Sequence, residues 1–130
     1  VRAYPAVAAS VGAVRRALAQ FAGDCGARAQ TEDAVALAAS EAATNVVVHA
    51  YRESAEPGRI EVTGARTSDG LSVSVSDAGS GLRPYRDSPG LGLGLAIIAE
   101  VADRVDVVRS SSRGVEVRMH FVLRTAPGRG

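Results

Sequence analysis

Lysine is missing from this chain, whose fifteen basic residues are all arginine. That closes every mechanism needing a side-chain amine, including Schiff-base chemistry and the phosphate-binding lysine of a P-loop. Cysteine is almost as scarce. The single Cys25 cannot make an internal disulfide or a multi-thiolate metal site, so the chain reads as intracellular and cytoplasmic, and Cys25 beside Gly26 reads as a small inert residue. No apolar run approaches the roughly 20 residues that cross a bilayer, and the first thirty residues lack a signal-peptide pattern, so no membrane partner is expected. Neither sign of charge is in excess. Fifteen basic against 14 acidic residues leave +1, which offers no field for nucleic acid or an anionic surface.

What is present suits one globular domain. At 130 residues, 46% apolar and 22% charged, the chain can bury a modest core and has no room for a second catalytic domain. We place that domain at residues 1–125 and a loose tail at 126–130. The chain opens on Val1 and not on Met, which is compatible with a piece excised from a longer protein.

Hydrophobic periodicity orders the elements. Val7, Val11, Val14, Leu18 and Phe21 step by four and three, marking a helix from near Pro5 that Gly23 and Gly26 end. An Ala-rich second helix starts near Thr31, with Glu32 and Asp33 at its positive end, and runs to about Tyr51. From Arg59 the period becomes two: Ile60 and Val62, a turn at Ser68, Asp69 and Gly70, then Leu71, Val73 and Val75 alternating with serines. Residues 78–94 are rich in Gly, Pro and Ser and lead to a third helix over about Leu95–Asp103. A second hairpin follows, with Val105 and Val107, a turn near Ser112–Gly114, and Val115, Val117, Met119 and Phe121 on one face. With a short strand at Val1–Tyr4, the order predicts an α+β two-layer sandwich: a mostly antiparallel mixed sheet covered on one face by three helices.

Three places carry chemistry. Glu41, Asn45 and His49 lie four residues apart and share one helical stripe. A polar stripe ordinarily faces water, but Ala42, Ala43, Val46, Val47 and Val48 crowd this one with apolar neighbours. An amide oxygen at Asn45 is a hard ligand suited to Mg²⁺, and a carboxylate one turn back can accept a proton. Asp77 is in phase with Leu71, Val73 and Val75, so its carboxylate points inward at a strand end and needs a donor. The exocyclic amine of a purine is one such donor, with Gly79 and Gly81 letting a flat ring approach the backbone; an ordinary Asp-Gly turn is the alternative. Gly90, Gly92 and Gly94 precede Leu95 at the start of the third helix. There exposed amides at the positive dipole end can cradle an anion, or the glycines serve as a hinge. The spacing is not the dinucleotide fingerprint, because Leu95 stands where its third glycine is needed.

Taken together, Glu41-x-x-x-Asn45, Asp77-x-Gly79-x-Gly81 and Gly90-x-Gly92-x-Gly94-Leu95 resemble the N, G1 and G2 boxes of the GHKL (Bergerat-fold) ATPase superfamily. The stretch Ser40–Tyr51 looks closest to its bacterial anti-sigma-factor serine kinases, and the resemblance covers nearly the whole chain. It implies that Asn45 coordinates Mg²⁺ bound to ATP phosphates and that Glu41 is the general base toward a serine hydroxyl. It further implies that Asp77 accepts from the adenine amino group, that Gly79 and Gly81 shape the adenine pocket, and that Gly90, Gly92 and Gly94 wrap the phosphates in a mobile lid. The chain brings no lysine to the phosphates, so backbone amides near Gly92–Leu95 would have to hold them, with Arg83 or Arg86 as helpers or as solvated loop residues. One departure stands out. The superfamily commonly has a threonine after the glycine of the last hairpin, and here Val115 follows Gly114; one lost hydrogen bond of this kind costs about 1 kcal/mol.

The implied function is an ATP-dependent protein-serine kinase and anti-sigma factor that phosphorylates a STAS-type anti-anti-sigma partner and sequesters a sigma factor, working as a possible homodimer. A non-catalytic ATP-binding switch, or the ATPase domain of a larger regulatory protein, is the alternative. The ATP-binding half of a histidine kinase needs a phosphoacceptor histidine upstream of the N box, and no His occurs between Pro5 and Ala22.

Overall fold

A computed structural model describes residues 2–50, 58–77, 89–110 and 114–123, with the side chains of 49–50, 89–94 and 109–110 outside that description. In chain order these residues form strand β1 (Arg2–Pro5), helix α1 (Ala8–Asp24), helix α2 (Ala29–Asn45), a π-helical turn (Val46–Ala50), strands β2 (Arg59–Arg66) and β3 (Gly70–Asp77), helix α3 (Pro89–Val101), and strands β4 (Arg104–Ser110) and β5 (Gly114–Val122). The strands make one five-stranded sheet in the order β1-β2-β3-β5-β4. Every ladder is antiparallel, so the mixed pairing expected from the sequence is not found among the described residues.

Period-two alternation sets the two faces of the sheet. Leu71, Val73, Val75 and Asp77 of β3 and Val115, Val117, Met119 and Phe121 of β5 are buried, and the intervening residues are partly or fully exposed. The helices cover the buried face. α2 contributes Ala38, Ala39, Ala42 and Ala43 to the core beside Val35, and small side chains there let its backbone approach the strands closely. α1 buries Ser10, Val14, Leu18 and Ala22. The expected α1 stripe is therefore rotated: Val7 lies before the helix and is exposed, while Val11 and Phe21 are half-buried at its flank. Phe21 is drawn sideways over β2, where its ring occupies the space that a Cβ on Gly64 would need. Cys25 is buried in the same core, as befits a small apolar residue.

Two of the boundaries that differ from the sequence expectation bear on the site. α2 stops at Asn45 and the chain continues in a wider π turn through Val46–Ala50 rather than as α-helix to Tyr51, which lies outside the described residues. Three successive β-branched valines begin that turn, and such residues crowd the tighter α-helical winding. The third helix starts at Pro89, not near Leu95, and ends at Val101. Proline suits a first helical turn because the N–H it lacks has no intrahelical partner there. Gly90, Gly92 and Gly94 are thus part of α3 instead of a loop before it.

Candidate functional site

The site residues come from the C-terminal end of α2 and the C-terminal end of β3. Asn45 closes α2 and is 6% exposed; Asp77 closes β3 and is 3% exposed. Both α2 and the π turn pack against β3, and Asp77 is in phase with the buried residues of that strand. The amide and the carboxylate therefore lie on the same, helix-covered side of the sheet. Apart from Ser10 they are the buried polar side chains among the described residues, in a layer otherwise built from Ala, Val, Ile, Leu, Met, Cys and Phe.

Asn45 carries an anomaly. Its Nδ2 is buried with no hydrogen-bond partner among the described residues. Leaving such a group unsatisfied costs about 1–3 kcal/mol, and folded proteins pair the great majority of them, so this amide is open to a partner beyond the described residues. A half-turn about χ2 exchanges Nδ2 with Oδ1, so the same position can present a hard oxygen as readily as a donor. Glu41 sits one turn earlier, half-buried. His49 belongs to the π turn, where the four-residue stepping from Glu41 and Asn45 no longer holds, and its side chain is outside the described residues.

Asp77 is held from β5. The backbone N–H of Val115 donates to its Oδ2 at 3.1 Å in a buried bond. The approach is close enough that a Cβ on Gly114 would collide with the Asp77 carboxylate, and Gly114 also has φ of +72°, which side chains rarely adopt. Reading the sequence found Gly114 only as a hairpin residue and Val115 only as a missing hydroxyl. Neither the backbone bond nor the steric demand on Gly114 is legible in the sequence, because they join Asp77 to residues 38 and 37 positions away.

The remaining expected residues divide in two. Gly79 and Gly81, with Arg83 and Arg86, lie outside the described residues. Gly90, Gly92, Gly94 and Leu95 lie along the first two turns of α3, and α3 packs against α2. Because the first four N–H groups of a helix lack intrahelical acceptors, a start at Pro89 puts the open amides at about Gly90–Gly92, one turn earlier than expected. The candidate donors are one hard amide and one buried carboxylate fixed from behind on the same side of the sheet, one carboxylate a turn away on α2, and a glycine-rich start on a helix that packs against α2. They suit a ligand that combines a flat polar ring, a cation and anionic groups.

Comparisons with known proteins place the chain in a family. Residues 4–121 match the histidine kinase-like ATPase domain. Serine-protein kinase RsbW of Staphylococcus epidermidis is 32% identical over 130 residues, covering 88% of this chain and 80% of the relative. The protein of that name from Staphylococcus aureus (strain MSSA476) is 31% identical over the same shares. Among solved structures, the RsbU and RsbW domains of Rv1364c from Mycobacterium tuberculosis superpose with a TM-score of 0.70 at 23% identity; 97% of this chain is covered and 34% of that one, a likeness of fold. Given a family match across nearly its whole length, a kinase relative above 30% identity and this sandwich architecture, the chain belongs to the histidine kinase-like ATPase domain family.

Proposed function

We propose that this chain is an ATP-dependent protein-serine kinase of the anti-sigma type, which phosphorylates a serine of a STAS-domain anti-anti-sigma protein and sequesters a sigma factor in the cytoplasm. The observation that carries the reading is the orphaned amide of Asn45, buried one turn from Glu41 and on the same side of the sheet as Asp77. Family membership and the RsbW relatives support the class of activity.

The residues present fit ATP and Mg²⁺. Asn45 would hold the metal through its amide oxygen, a hard ligand on a side chain buried at the end of α2. When bound, Mg²⁺ neutralises charge on the phosphate oxygens, a contribution that matters in a chain without lysine. A carboxylate has about four acceptor positions, so Asp77 can take the adenine amino group while Val115 N–H fixes its orientation. Gly79 and Gly81 would shape the ring pocket, and the amides of α3 from Gly90, with Gly92, Gly94 and Leu95 following, would face the phosphates. In the transfer step the serine Oγ bonds to the γ-phosphorus, the bond to the bridging oxygen breaks, and ADP leaves. Glu41 accepts the serine proton.

The test is transfer of labelled γ-phosphate from ATP to a panel of STAS-domain proteins. Wild type should label one of them. Glu41→Ala should slow that labelling by roughly 100-fold or more while ATP affinity holds. A wild-type protein that binds ATP and labels no partner would instead be a non-catalytic switch.

A further inference from the structure

We infer that Leu37 and Val48, which flank Glu41 on the outer face of α2 and the π turn, form the seat for the serine-bearing segment of the protein substrate, and that this segment carries apolar side chains on both sides of its serine. The inference rests on the kinase reading above and names what that site recognises.

A helix lying on a sheet should bury one stripe and solvate the other. α2 meets the first condition with Val35, Ala38, Ala39, Ala42, Ala43 and Asn45. Its outer face breaks the second: Leu37 is 42% exposed and Val48 is 51% exposed. Leu37, Glu41 and Thr44 follow one another at steps of four and three along one stripe of α2, and Val48 stands exposed in the π turn that directly continues the helix. The other large exposed apolar side chains described, Val7 and Val107, stand singly before α1 and in β4. Scattered apolar residues on a surface need no explanation, but two that bracket the proposed base do.

Continuity with Glu41 identifies the occupant. A serine that gives its proton to Glu41 must bring its own chain across this stripe, with the neighbouring side chains set down on Leu37 and Val48. Leu37 precedes Glu41 by four helical residues, about 6 Å along the axis, which is close to the ~6.6 Å between alternate residues of an extended chain. Alternate residues of such a chain also point the same way. A segment with its serine at Glu41 therefore places the side chain two positions away on Leu37, and a further apolar side chain beyond the serine meets Val48.

The experiment is steady-state phosphotransfer to the STAS-domain protein that wild type labels, using Leu37→Ser, Val48→Ser and the double variant, beside calorimetric ATP affinity. Both side chains are exposed, so the variants should fold. The double variant should raise KM for the protein substrate by about tenfold, with kcat and ATP affinity within about twofold of wild type, and Leu37→Met should keep the wild-type KM. An unchanged KM in the double variant overturns the inference and leaves the kinase reading intact, as does a parallel fall in KM performance, kcat and ATP affinity, which would mark a structural role. Absence of labelling by wild type overturns the kinase reading and this inference with it.

Discussion

The two faces of the sheet hold carboxylates in opposite circumstances. On the helix-covered face Asp77 stands among apolar side chains, gripped by a buried backbone N–H. On the other face Asp69 and Asp106 are exposed and Glu116 is half-exposed, paired with His120, Arg104 and Arg118 at 3.1, 3.8 and 3.2 Å. A concavity of about 810 Å³ lies over this outer face and is lined by those charged groups and by Ser72 and Ser74. Charge alone would put the chemistry there. Yet its charges satisfy one another through exposed pairs, which are screened and contribute little. A single polar group in a dry layer is more informative than many in a wet one, because only the dry group incurs a desolvation cost that a ligand can offset.

The contrast is most sharply tested at the contact that fixes Asp77. Gly114→Ala forces a Cβ into the carboxylate at a left-handed φ, and should lower unfolding free energy by about 2–3 kcal/mol in urea titration. A loss below about 0.5 kcal/mol would mean that β5 does not grip the acid.

Next comes a matched pair of neutralisations, one on each face. Asp77→Asn should weaken ATP binding by about tenfold or more in calorimetry, since an amide cannot accept from both the Val115 N–H and an adenine amine as well as a carboxylate does. Glu116→Gln should leave ATP affinity unaltered. Equal effects from the two would erase the distinction between the faces.

The smallest effect belongs to the outer face and is a matter of pH. The Thr67 hydroxyl donating to Asp69, together with the charge of His120, holds the Asp69 carboxyl below its ordinary value of 3.8. The folded state then binds this proton more weakly than the unfolded chain. Any stability it adds is present above the ordinary carboxylate range and fades as pH falls through the folded value. Wild type and Asp69→Asn should thus differ slightly near neutrality and converge in acid, as followed by thermal unfolding across that range. A gap that widened in acid would reverse the assigned sign.

How much of this was legible in the sequence depends on the range over which each signal acts. The hairpin strands could be read because alternation of Leu71, Val73 and Val75 with serines is a local pattern with one physical solution. Asp77 was placed inward by the same count. The end of α2 was only partly legible: three valines in a row disfavour α-helical winding, but by themselves they do not say whether the helix continues or widens into a π turn. The start of α3 was missed for a related reason, since glycines read as loop until a neighbouring helix supplies the packing that keeps them helical. The stripe of α1 was read one flank too far, because nothing local says that Phe21 will find its place over Gly64.

Residue order by itself determined the strand phases, the two-layer class, the inward acid at Asp77 and the alignment of Glu41 with Asn45, since each follows from the repeat of a helix or a strand over a few residues. Tertiary structure alone decided that Val115 N–H meets Asp77 across 38 positions, that Gly114 must lack a side chain, and that among the described residues Asn45 Nδ2 finds no hydrogen-bond partner while Leu37 and Val48 stay exposed. Those facts depend on which segments are brought against each other, and burial, unlike periodicity, is a property of the neighbours and not of the residue.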